Sequence, residues 1–174
     1  MMIRDAIHTD VTAIANLHAE SWRSSYRGIL TKDYLENDVV RDRLGVWQKR
    51  YSGAAQKPMF TLVAESGSEL SGFACVFPEE DAEYGSFLDN LHVSPGLTGR
   101  GIGRRLLSEA ARRLVANGSH AGLYLWVIEQ NQRARKFYER AGAEVVGSAS
   151  NSMPDGQKVV AIRCYWNDPT TLVL

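Results

Sequence analysis

The sequence predicts a mixed α/β fold: a central, mostly antiparallel sheet of about seven strands, with about four helices around it. Three observations lead there. Short apolar runs of strand length recur along the chain. Two pairs of them flank tight-turn residues, as hairpins do. Stripes at helical spacing interrupt them in the order strand, two helices, three strands, helix, strand, helix, two strands. That order lacks the regular strand–helix alternation of a doubly wound parallel sheet.

Met2 to Ala6 reads as the first strand. Thr9 or Asp10 can cap a helix bearing Val11, Ile14, Leu17, His18 and Trp22 on one side. Gly28 interrupts it. A second helix is expected from Thr31 or Lys32 to roughly Tyr51, with Leu35, Val39, Leu44 and Trp47 apolar. Pro58 then introduces strands at Phe60 to Glu65 and Leu70 to Phe77, joined through Ser66-Gly67-Ser68. Glu79-Glu80-Asp81 is expected as a loop and Phe87 to Val93 as a strand. The next helix carries Ile102, Leu106, Leu107, Ala110, Leu114 and Val115 on one face and stops at Asn117-Gly118. Leu123 to Ile128 is apolar on both faces, as a central strand would be. A short helix follows with Ala134, Phe137, Tyr138 and Ala141 in a stripe, and Gly142 ends it. Val145 to Ser148 and Val159 to Trp166 complete the sheet around the turn Pro154-Asp155-Gly156.

The bulk properties narrow the function. At 174 residues the chain suits one domain, 1–174, with no repeat or linker to divide it. Its 20 basic and 20 acidic residues cancel, which argues against nucleic acid or an anionic membrane as the main partner. No apolar run is long enough to span a bilayer, and the first residues lack a secretory pattern, so a cytoplasmic location is expected. Cys75 and Cys164 sit in apolar strands as buried thiols, and no Cys/His spacing suggests a metal.

The chemistry concentrates where the strand ending at Val93 passes through Ser94-Pro95-Gly96-Leu97-Thr98 into Gly99-Arg100-Gly101-Ile102-Gly103-Arg104 and a helix. Glycines at alternate positions let a ligand approach the backbone. The unpaired N–H groups and the positive end of the helix dipole favour a pyrophosphate, with Arg100 and Arg104 adding charge. The dinucleotide fingerprint would need glycine at Arg104, and no Walker lysine follows. A glycine-rich entry that merely packs a helix against its strand accounts for the turn equally well when it is taken alone.

The wider frame resembles a known family. Leu91-His92-Val93-Ser94-Pro95, the Gly101-Ile102-Gly103 turn and the following Leu-Leu resemble the signature of the GNAT superfamily of N-acetyltransferases. Leu125-Trp126-Val127, Asn131, Ala134, Phe137-Tyr138-Glu139 and Ala141-Gly142 resemble its second cofactor motif at the usual spacing. The stretch from Ser21 to Gly28 is similar to one bacterial subgroup. Thr98 departs from the Gln or Arg common at its position, with Arg100 as a substitute, and Ala143 stands where a Phe is common.

The resemblance implies direct transfer of an acetyl group from acetyl-CoA to an amine, with no metal, by a monomer or homodimer. It implies strands ending at Val93 and Ile128 that splay apart. Leu91, His92 and Val93 then form the strand along the pantetheine arm, and an amide near Val93 faces the thioester oxygen. The cofactor set is completed by Thr98, Gly99, Arg100, Gly101, Ile102, Gly103, Arg104, Asn131 and Tyr138. Tyr138 matches the frequent general acid; otherwise it is a core tyrosine. Asn131 holds the arm, caps its helix, or both. Asp89 shares strand parity with Leu91 and Val93, so it is a candidate base unless a bulge reverses that parity, with a base acting through water as the alternative. Trp22 and Tyr26, one helical turn apart, are candidate acceptor contacts, with core packing the competing reading of Trp22. The His92 ring lies on the opposite parity from Val93 and, like His18, reads as structural. A non-catalytic acyl-CoA sensor is the alternative function; keeping both Asn131 and Tyr138 favours the enzyme.

Overall fold

The alternating runs assemble into a single sheet. The computed structural model describes residues 1–53, 57–67, 69–119 and 121–174. Its strands are β1 (Met2–Asp5), β2 (Phe60–Ser66), β3 (Glu69–Asp81), β4 (Gly85–Val93), β5 (Leu123–Ile128), β6 (Glu144–Ser152) and β7 (Lys158–Trp166). They lie in the order β1-β2-β3-β4-β5-β7-β6, and every neighbouring pair is antiparallel except β4 with β5. The helices are α1 (Val11–Ser25), α2 (Val39–Tyr51), α3 (Ile102–Ala116) and α4 (Gln132–Arg140).

Alternation along the strands decides which helix each face receives. Leu62 and Ala64 of β2, with Ala74 and Val76 of β3, cluster with Leu106, Leu107, Ala110 and Leu114 of α3. Val63, Phe73 and Cys75 point the other way and meet Val11, Ile14 and Leu17 of α1 and Trp47 of α2. Leu106 and Leu107 are fully buried, and each such side chain contributes on the order of 1.5–3 kcal/mol. Cys75 and Cys164 are buried free thiols.

Four local features differ from the sequence reading. Glu79 to Asp81 is not a loop: β3 runs on to Asp81, which pairs with Gly85, because an irregularity after Phe77 lets the ladder resume. Glu79 sits there at φ 50°, and its N–H donates to the Ser86 hydroxyl. The helix before α2 opens with a wider turn over Tyr34–Asp38 that buries Tyr34 and Leu35. Asp10 precedes α1 without capping it through its side chain; its carboxylate instead accepts from the Ile7 N–H and pairs with Arg4. β6 continues to Ser152, but it is largely exposed on both faces and so carries little periodic signal. The Ser68 end of the β2–β3 turn lies outside the described residues.

The feature that positions the site is the junction of β4 and β5. They pair only at Ser86↔Leu123 and Phe87↔Tyr124, and beyond these they diverge. β5 stays paired to β7 along its whole length, and β4 to β3 as far as Val93.

Candidate active site

Where β4 and β5 part, a cleft of about 460 Å³ opens, the size of a small-molecule site. One wall is Leu91, His92 and Val93 of β4, and another is Leu125, Trp126 and Val127 of β5. The glycine turn with the start of α3 closes one part. α4, together with Ser21, Ser24, Ser25 and Tyr26 of the α1 end, borders the rest.

The turn is built for an anion. Gly99 (φ 82°) and Gly101 (φ 81°) adopt the left-handed conformation, and a Cβ on either would meet nothing within 4 Å, so the backbone lies open. The first intrahelical bond of α3 runs from the Arg105 N–H to the Gly101 carbonyl at 3.1 Å. The N–H groups of Ile102, Gly103 and Arg104 precede it and have no helical acceptor. Arg104 lines the cleft, and its buried Nη1 lacks a partner among the described residues. Open glycines, unpaired N–H groups and an unpaired guanidinium nitrogen fit a pyrophosphate. A Cβ on Gly103 would lie 3.5 Å from the Phe137 ring and 3.7 Å from Val93, in ordinary contact with both. Thr98 lines the cleft with its hydroxyl donating to the Pro95 carbonyl at 3.0 Å. Arg100 is exposed and does not line it.

Tyr138 of α4 is 8% exposed and faces the cleft. Burial pushes its phenol well above the ordinary tyrosine value, and the nearby Tyr26 and Cys164 raise it further. Tyr26 borders the same cleft, its phenol pushed up to about 12 by burial against a smaller opposing effect of Arg43. Asn131 accepts from the Ala134 N–H at 3.1 Å, capping α4, and also lines the cleft. Trp22 packs elsewhere: it is buried among Tyr34, Leu35 and Val39, carries the Arg43 guanidinium over its ring at 4.1 Å, and is absent from the cleft wall.

Asp89 requires a correction. Opposite β3, Asn90 pairs with Cys75 but Leu88 pairs with Val76, so Asp89 is the extra residue of a bulge. Leu88 therefore packs in the same cluster as Leu91 and Val93, which simple alternation would forbid. The parity argument that turned Asp89 toward the acceptor fails, yet the residue still borders the cleft, with its carboxylate ion-paired to Arg50 of α2. His92 points to the α1 side as its parity demands. Its Nδ1 lies 2.8 Å from the Ser21 hydroxyl, and its ring centroid is 4.5 Å from that of His18. Burial and then the Arg43 cation push the His92 imidazole down to about 3, so it is neutral.

The sequence reading did not assign Ser21, Ser24, Ser25 or Arg50 to the site. The serines sit at i, i+3 and i+4 on α1, a spacing that was readable. Arg50 gave no signal, because it meets Asp89 across 39 residues of chain.

A model of the acetyltransferase (GNAT) family matches residues 13–143. The chain is 30% identical to the uncharacterized N-acetyltransferase YuaI of Bacillus subtilis, over 98% of this chain and 95% of that one. It is 27% identical to the peptidyl-lysine N-acetyltransferase YiaC of Escherichia coli, over 98% and 91%. The fold matches the PaiA N-acetyltransferase of Thermoplasma acidophilum, solved in complex with coenzyme A, with TM-score 0.71, 23% identity and coverage of 95% and 98%. The chain thus belongs to the acetyltransferase (GNAT) family. It is an N-acetyltransferase, with acetyl-CoA as its acyl donor. Among the described residues no cluster of His, Cys, Asp and Glu could hold a metal ion, and no helix is long and apolar enough to cross a membrane.

Proposed function

We propose that the enzyme acetylates a primary amine, on a small molecule or a peptide, by direct attack while donor and acceptor share the cleft. The observation that carries this is the cleft itself, with an anion-suited glycine turn on one side and a buried phenol on the other. Acetyl-CoA supplies an activated acyl group and a thiolate leaving group. The N–H groups of Ile102, Gly103 and Arg104, with the Arg104 guanidinium, hold the pyrophosphate, and Thr98 and the exposed Arg100 flank it. The backbone of Leu91, His92 and Val93 runs beside the pantetheine arm, and Asn131 borders it from α4. An amide near Val93 donates to the oxygen that gains charge during attack.

Tyr138 gives its proton to the departing sulfur and recovers one as the attached nitrogen sheds its second N–H proton on becoming an amide; burial, which raises the phenol, keeps it protonated before attack. The incoming ammonium, with a pKa of about 10, releases its proton to water held by the cleft hydroxyls, since Asp89 is engaged by Arg50. Tyr26 borders the acceptor, and Trp22 supports Tyr26 from behind at 5.2 Å between ring centroids. The name of the E. coli relative makes a lysine in a peptide one acceptor to try. Replacing Tyr138 by Phe tests the assignment: kcat is expected to fall roughly 100-fold with KM for acetyl-CoA nearly constant. Full kcat in Tyr138→Phe at every pH removes the phenol from the mechanism.

A further inference from the structure

Just past its last pairing with β5 at Phe87, β4 carries the bulge at Asp89, and a residue distant along the chain grips that point. The bulge breaks the alternation, so the Asp89 and Asn90 side chains both reach the same guanidinium. Arg50 Nη1 donates to Asn90 Oδ1 at 2.8 Å, and Nη2 donates to Asp89 Oδ2. The guanidinium carbon also lies 4.8 Å from the Trp47 ring centroid and 5.5 Å from that of Phe77. The Arg50 side chain is 20% exposed and the Asp89 side chain 23%, so water screens this fork only in part. β4 lines the cleft at Leu88 and Asp89 and again from Leu91 to Val93, so the gripped bulge lies within the wall itself.

We propose that Arg50 is a positioning residue for acyl transfer: its planar fork, spanning Asp89 and Asn90, clamps the β4 bulge and so sets the backbone of Leu91 to Val93 against the donor. This rests on the proposed acetyl transfer at the cleft. The geometry needs a fork, because two acceptors on successive residues are held at once by two nitrogens; lysine brings the charge, but all its donors sit on one nitrogen. Asp89 acts here as an anchor for the strand, so an amide oxygen in its place can still accept from Arg50.

The test compares Arg50→Lys, Arg50→Gln and Asp89→Asn with the parent enzyme in kcat, KM for acetyl-CoA and thermal midpoint. It adds backbone amide hydrogen exchange of residues 90–93 in the ligand-free protein. The clamp predicts faster exchange at these amides in both Arg50 variants. It also predicts an activity loss of roughly 10- to 100-fold, since small misplacements of reacting groups carry such penalties. Asp89→Asn is predicted to stay within about threefold of the parent, corresponding to less than ~0.7 kcal/mol. Parent-like exchange in Arg50→Gln overturns the clamp, as does parent-like kinetics in a folded Arg50→Lys. A severe loss in Asp89→Asn with a mild one in Arg50→Gln also overturns it, since that pattern belongs to a catalytic carboxylate. If the parent itself turns over no amine, the function reading fails, while the exchange measurement still decides the clamp.

Discussion

His18 illustrates how single residues tie stability to the site. It is 1% exposed, and its Nδ1 accepts the Trp47 indole N–H at 3.1 Å, so any ring proton sits on Nε2. Burial holds it well below the ordinary histidine value, reinforced by His92, Arg43 and Arg50, and His92 is pushed down to about 3. Both rings stay neutral in the folded protein while the unfolded chain protonates them near about 6.5. Between those values the unfolded state binds more protons, so this stability is complete above pH ~6.5 and is lost as pH falls. The slope is about 1.4 kcal/mol per pH unit for each ring. Asp5 and Asp10, lowered chiefly by hydrogen bonds from Arg113 and Arg4, add their loss only below about 4. Urea unfolding of the parent between pH 8 and 5 is expected to show the decline beginning near 6.5, with a shallower slope in His18→Gln. A flat profile from pH 7 to 5 contradicts the neutral pair. Tyr138 and Asn131 were legible as cleft residues because both belong to one short helix and its cap. The packing of the two histidines was not, because it depends on partners from α1, α2, β3 and β4 together.

At the scale of elements, the junction of β3, β4 and α3 fixes the cleft wall. Gly72 of β3 sits opposite Val93, and a Cβ there would lie 2.8 Å from the His92 carbonyl oxygen and 3.0 Å from Leu106 Cδ1. The oxygen is backbone and cannot step aside, so Gly72→Ala must push β4 or α3. A loss of about 1–3 kcal/mol is expected in chemical denaturation, together with a raised KM for acetyl-CoA. Unchanged values of both would mean that the strand position is not critical. The sequence did reveal the strands and helices, since periodicity is local: α3 starts at Ile102 and β5 runs from Leu123 to Ile128 as expected. The sequence could name a bulge near Asp89 only as an alternative, and the extension of β3 to Asp81 escaped it. Register is settled between strands, and a residue inserted in one strand leaves no periodic trace where the apolar positions remain plausible in either phase.

For the molecule as a whole, one parallel junction in an otherwise antiparallel sheet gathers the working parts. β4 and β5 diverge there, α3 brings its N-terminus to the opening, and α4 brings Tyr138 across from Tyr26. The balanced charge of 20 basic and 20 acidic residues leaves recognition to this local geometry, not to the field of the whole surface. The motifs around Gly99–Arg104 and Asn131–Tyr138 made the donor legible. The surroundings of Tyr26 were less so, because they draw on α1, the segment before α2 and the β6–β7 turn without a common sequence pattern; Tyr26 and Met153 pack on the same buried cluster, and the Asp155 carboxylate accepts the Thr31 N–H at 2.7 Å. Acetyl transfer at this cleft is tested most directly by following free thiol while acetyl-CoA and a panel of amines and lysine peptides are supplied to the purified protein. Thiol release that depends on one acceptor class, matched by equal acetylated amine, is the predicted result. Tight donor binding by calorimetry with no thiol release across the panel would contradict it and identify the chain as an acyl-CoA sensor.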